Sequence, residues 1–277
     1  MIASFARKLS VLLLGAALLA GCTATFTYKH LDWLIPWYVD GYVDLSRDQR
    51  RLLQEQLGPA LQWHQQEELS RYVEILDQIE SDLGHVVSAG QVQRWMDDII
   101  LAAERVEERM LSVALDFGAQ LSDQQMAEFV ESLWEQQREY EEEYLDRSDQ
   151  EYVDDSYENL ENFLKRFTGR LQDGQEQTLR EEAGSLQRFD VVWLEEREAW
   201  LSTLTPLLQR HDGWQEAVKL AYRNRKQFRP PQYTPIIDHN LLVAARATAD
   251  ILNELSDKQR QHVFREIDKL RNRINGL

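Results

Sequence analysis

Apolar residues recur along this chain at steps of three and four, never in sustained alternation. From Val92 the stripe runs through Met96, Ile99, Ala103, Val106, Met110 and Val113 to Phe117, which on a 3.6-residue helix is one continuous apolar seam. Comparable stripes are Leu69, Tyr72, Leu76, Ile79, Leu83; Met126, Val130, Leu133, Gln137, Tyr140, Tyr144; and Val153, Tyr157, Leu160, Leu164, Phe167, Leu171. The C-terminal third continues with Ile237, Leu241, Ala244, Thr248, Ile251, Leu255 and then Val263, Ile267, Leu270, Ile274. The pattern predicts an all-α fold, an elongated antiparallel helical bundle of long amphipathic helices. One stripe is irregular: Leu179, Ala183, Leu186, Asp190, Trp193, Arg197, Trp200, Leu204, Leu207 carries an acid and a base seven residues apart. Either both are buried, or the stripe shifts to Phe189 and Glu196 and leaves both in water.

A short motif opens several of these helices: Leu45-Ser46 with Gln49, Val87-Ser88 with Gln91, Leu121-Ser122 with Gln125 and Leu255-Ser256 with Gln259, with a looser copy at Leu171-Gln172 and Gln175. In a capping box the hydroxyl accepts an orphan backbone N–H and the side chain three residues on answers it. The motif is similar to the LTxxQ signature of small periplasmic stress chaperones, and a cap by itself also accounts for it. Loops are expected near 84–87, 118–121, 146–151, 172–174, 210–213 and 229–234, the last at Pro230-Pro231. Residues 46–277 are expected to form one helical domain, with 232–277 as a candidate C-terminal hairpin.

The N-terminus is of another kind. Arg7 and Lys8 precede an apolar run, Leu9 to Ala20, that is short for a membrane span and ends at Gly21-Cys22. Leu19-Ala20-Gly21-Cys22 resembles the lipobox of bacterial lipoproteins. The resemblance implies a signal peptide over 1–21, cleavage between Gly21 and Cys22, and a diacylglycerol and an N-acyl chain on Cys22, which together anchor a protein far more firmly than one chain. In the enterobacterial lipoproteins the chain resembles, an Asp after the cysteine favours retention at the inner membrane, so Thr23 there implies the outer membrane, facing the periplasm. Cys22 is the only cysteine, so no disulfide staples the fold. The formal charge is −17; without Arg7 and Lys8, 29 basic residues face 48 acidic ones, a charge of −19. Such a chain is not expected to bind nucleic acid, and its expected membrane contact is lipid rather than charge.

The segment 22–45 is dense in aromatics: Tyr28, Trp33, Trp37, Tyr38 and Tyr42, with Asp32, Asp40 and Asp44 among them. Such rings suit the headgroup level of a bilayer, but the acids suit it poorly, so the favoured expectation is that the aromatics plug the bundle. Further on, His64 follows Trp63 and stands three and four residues before Glu67 and Glu68, close enough for a carboxylate to orient the imidazole. These elements resemble an uncharacterised family of gammaproteobacterial lipoproteins, domain of unknown function 6279. The matching residues are Tyr28, Trp33-Leu34-Ile35, Trp37-Tyr38-Val39-Asp40, Tyr42, Leu45 with Gln49, Trp63-His64, Leu69 with Tyr72, and later Trp193, Arg197 and Trp200. Gly41 stands where that pattern has a second Asp, and Gln65 where a basic residue often follows the His. The resemblance implies a helical envelope lipoprotein and brings no activity.

Chemistry is sparse. Six histidines show no metal-ligand spacing, and there is no GxSxG, no phosphate-cradling glycine loop and no Glu-x-x-His pair, so no metal or dissociable cofactor is expected. Glu139, Glu142, Glu143 and Asp146 share one helical face that reads as solvated surface. The expected function is a non-enzymatic interaction protein, chaperone-like or a scaffold, holding an unknown envelope protein through Trp33, Trp37, Tyr38, Asp40, Tyr42, Trp63 and His64. The alternative is an envelope hydrolase using carboxylates near His64.

Overall fold

The computed structural model describes residues 22–277, with side chains from Phe26 onward. The expected signal segment 1–21 and the Cys22 thiol lie outside the described residues. The helices run α1 (Cys22–Lys29), α2 (Leu31–Asp40), α3 (Arg47–Trp63), α4 (Leu69–Asp82), α5 (Ala89–Gly118), α6 (Asp123–Tyr144), α7 (Asp149–Thr168), α8 (Asp173–Ala183), α9 (Asp190–Leu207), α10 (Trp214–Arg223), α11 (Tyr233–Asn253) and α12 (Asp257–Asn275). There is no strand among the described residues, and the all-α expectation holds.

The 30-residue α5, about 45 Å long at 1.5 Å per residue, is the spine against which α3, α4 and α11 pack. Its stripe is buried at Val92, Val106, Met110 and Phe117, but Ile99 faces out, because Trp95, Ala102 and Leu115 carry the contact round the helix. α6 pairs with α9 and α7 with α8. α11 packs on α5 and α8 while α12 packs on α4 and α7, so the C-terminal pair 232–277 is built into the body. Two faces of α11 serve two apolar clusters. Ala245 and Ala249 join the main core, whereas Ala247 and Ile251 join Tyr157, Leu164 and Leu179 of α7 and α8. Small side chains let this helix be buried on both sides.

All four serine capping boxes form, with Ser46, Ser88, Ser122 and Ser256 each accepting from the backbone three residues on. At the looser copy, Gln175 accepts from the Gln172 N–H at 3.0 Å. A further box, Ser148 with Glu151, opens α7 inside the loop expected at 146–151. The breaks at 41–46 and 254–256, absent from the expected loops, were marked by the Ser46 and Ser256 caps, but nothing marked 184–189 between α8 and α9. There Gly184 follows the last turn of α8, and the Asn240 side chain of α11 bonds both the N–H (2.9 Å) and the C=O (2.7 Å) of Gln187. A tertiary partner supplies the hydrogen bonds that a continuous helix would have made.

The break also settles the irregular stripe. Asp190 and Arg197 are both buried, and they do not meet. Asp190 accepts from Arg147 Nε (2.6 Å) and Arg188 Nε (2.8 Å). Arg197 donates to Gln136 Oε1 (3.2 Å) and lies over the Tyr140 ring at 5.0 Å.

Candidate functional site

Two arrangements gather the polar and aromatic residues of the N-terminal half. The first is built where α3 passes into α4 through a π-helical turn, His64–Glu68, in which the Leu69 N–H reaches the His64 carbonyl. Such turns interrupt an α-helix as single-turn bulges. His64 and Glu68 both become buried. The His64 ring sits between two phenols, Nδ1 at 2.8 Å from Tyr28 Oη and Nε2 at 3.0 Å from Tyr72 Oη. Burial pushes its acid range down to about 4, against the opposing pull of the Glu68 charge. The ring is therefore neutral near pH 7, with one nitrogen donating and the other accepting. Burial likewise pushes both phenols upward, so they stay protonated.

Glu68 makes its hydrogen bonds with arginines and not with the imidazole. It accepts from Arg71 (2.6 Å) and from Arg105 through both Nε and a terminal nitrogen (2.8 to 3.1 Å), a charge-assisted fork that compensates a fully buried carboxylate. No carboxylate orients His64, as its spacing to Glu67 and Glu68 had suggested; phenols do. The ring anchors Tyr28 of α1, and with it the start of the described chain, to the bundle. Trp63, half-buried, lies under the Arg109 guanidinium at 5.6 Å.

The second arrangement is an open groove of about 520 Å³ between the end of α2 and the middle of α6. Trp37, Tyr38, Asp40, Gly41 and Tyr42 form one wall; Ser132, Glu135, Gln136 and Glu139 form the other. Asp40 shapes the first wall. Its carboxylate accepts from the Leu45 N–H (3.0 Å) and from Arg50 at 2.8 and 2.9 Å. The Leu45 bond and Arg50 hold this carboxyl below its usual range. The walls are tied by Ser132 Oγ donating to the Tyr42 carbonyl (3.0 Å) and by Gln136 Nε2 donating to Tyr42 Oη (3.3 Å). Tyr38 and Tyr42 share a hydroxyl hydrogen bond of 2.8 Å.

The expected plug holds for the tyrosines and is corrected for the tryptophans. Tyr28 is buried in the core and Tyr38 and Tyr42 pack half-buried against it, whereas Trp33 and Trp37 are 58% and 66% exposed, and Leu31, Ile35, Val39 and Val43 fill the core in their place. The period that buries those four, at steps of four, points residues 33 and 37 outward. The structure thus brings Trp37, Tyr38, Asp40 and Tyr42 together, leaves Trp33 on the outer face, and puts Trp63 and His64 in the other cluster. The α6 wall was missed by sequence reasoning, since nothing in 132–139 marks it apart from its surface acids. Among the described residues no three His, Cys, Asp or Glu side chains converge closely enough to hold a metal ion.

Residues 41–234 match the model of a family of unknown function (DUF6279). The chain belongs to this family. Neither the curated proteins nor the solved structures gave a match. In this DUF6279 member the match takes in the whole α6 wall of the groove and the His64–Glu68 turn; Tyr28, Trp33 and Trp37 precede it.

Proposed function

We propose that the protein is a lipid-anchored helical interaction protein of the bacterial envelope, held at the periplasmic face of the outer membrane through Cys22, that docks an envelope partner in the groove between α2 and α6 as a chaperone-like or scaffolding contact. The groove carries this reading: aromatic surface and the carboxylates of Glu135 and Glu139 converge in an open cleft of a size that suits a bound segment. The anchor is supported by Gly21-Cys22 after the apolar run and by Phe26 and Trp33, 64% and 58% exposed within twelve residues of that cysteine. Rings of this kind favour the headgroup level.

A hydrolase centred on His64 has less support. The imidazole is buried, both its nitrogens are engaged by phenols, and an acid range near 4 makes it a weak base at neutral pH.

Mass spectrometry of protein from the envelope tests the anchor. The expected product starts at Cys22 with a diacylglycerol and an N-acyl chain, and an intact residue 1–21 segment with a free thiol would overturn it. A photocrosslinking residue at position 132 tests the groove in cells. A discrete adduct that disappears in Trp37→Ala is expected; no adduct from a folded, correctly located protein would overturn the docking role.

A further inference from the structure

We infer that the groove between α2 and α6 receives a basic polypeptide segment, a lysine or arginine side chain seating against Trp37 and the carboxylates of Glu135 and Glu139. This deepens the docking role proposed above and rests on it. Three carboxylates face the groove, and they are not equivalent. Asp40 is matched by Arg50. Glu135 and Glu139, one turn apart on α6, form no ion pair among the described residues, while nearby Arg138 is taken by Glu131 at 2.8 Å. Like charges four apart on a helix repel. Exposed Glu142, three residues beyond Glu139, extends the same side of the helix, so α6 presents an acidic ridge leading away from the groove. A cationic segment laid along it would relieve that repulsion.

The aromatic wall adds the second half of the match. The Trp37 indole is two-thirds exposed beside these carboxylates, and indole faces attract ammonium and guanidinium groups. The nearest buried cation, Arg197, lies behind Gln136, whose amide oxygen takes its hydrogen bond, and over the Tyr140 ring. A volume of about 520 Å³ admits a few side chains of a segment rather than a folded surface. The formal charge of −17 would draw such a segment from a distance.

The test uses the full acylated protein in neutral detergent and labelled peptides of one sequence carrying Lys, Gln or Glu at the same positions, followed by fluorescence anisotropy. The Lys peptide is expected to bind best and to weaken as salt is raised from about 0.1 M, where screening acts over ~10 Å. Glu135→Gln with Glu139→Gln should weaken it about fivefold to tenfold, as for two partly exposed charge pairs, with circular dichroism unchanged. Unchanged affinity in that double variant, or equal affinity for the Gln peptide, would overturn the inference. A Gln peptide that binds equally and is lost in Trp37→Ala would keep the groove as a docking site and remove only its basic preference. Failure of every peptide would overturn the basic-segment assignment, leaving the crosslink from position 132 to judge docking itself.

Discussion

The side-chain amides of Gln49 and Gln125 exchange two hydrogen bonds, at 2.8 and 2.9 Å, across the starts of α3 and α6. Each amide oxygen also accepts its own cap N–H, and each amide nitrogen reaches the carbonyl five residues before the other glutamine, Gln120 and Asp44. Gln175 and Gln259 repeat the arrangement at the starts of α8 and α12, bonded to each other and to the carbonyls of Glu254 and Arg170. The capping glutamine is thus also a clasp between helix starts.

Gln125→Ala should therefore cost more than a cap. Losing a partner from a satisfied amide network costs about 1–3 kcal/mol, and urea unfolding followed by circular dichroism should show it. Gln124→Ala, on the exposed face of the same helix, is the control; equal midpoints for the two variants would remove the clasp.

On α2 the expected stability effects follow burial rather than side-chain size. Ile35→Ala should destabilise by about 2–5 kcal/mol, since Ile35 is 1% exposed. Trp33→Ala and Trp37→Ala should stay within about 0.5 kcal/mol of the parent. A large loss in thermal melts of either tryptophan variant would contradict the outward placement.

His64 makes stability depend on pH. Its acid range is about 4 in the folded chain and near 6.5 when unfolded, so between these values the unfolded chain binds the extra proton. Stability is full above about pH 6.5 and falls towards pH 4, by about 3 kcal/mol in all. His64→Gln should flatten that part of the urea-midpoint profile. Parallel profiles for parent and variant would show that the ring titrates normally.

Glu68→Ala would leave Arg71 and Arg105 facing a vacated buried site. Breaking a buried pair costs about 3–5 kcal/mol, reduced to about 2 here because both guanidiniums are more than a third exposed. Differential scanning calorimetry should show a lower Tm, and a Tm equal to the parent's would refute the role given to the fork.

Local rules carried much of this structure. Steps of three and four specify helices whatever lies beside them, and a Ser with Gln three residues on stops the chain at a helix start, so α3, α5, α6 and α12 begin where their caps stand. Both are short-range effects, contained within a turn or two of chain. What local rules missed or left open was of another range. The break at 184–189 depends on Asn240, more than fifty residues away, and the burial of Asp190 depends on Arg147. In α2, aromatic character suggested a plug, while register relative to α3 decided that Ile35 and not Trp37 goes inside.

The candidate site divides in the same way. Trp37, Tyr38, Asp40 and Tyr42 stood out by composition within six residues of chain, but the opposite wall lies some ninety residues later on a helix of ordinary surface acids. His64 was visible, yet its phenol partners, 36 residues before and 8 after, were not assignable to it from spacing. By itself the amino-acid order determined the helices, their caps and the acidic charge, because hydrogen-bonding period and capping act between near neighbours. Only the tertiary structure decided which faces met and which polar groups became partners, because those choices are set by packing among segments far apart in the chain.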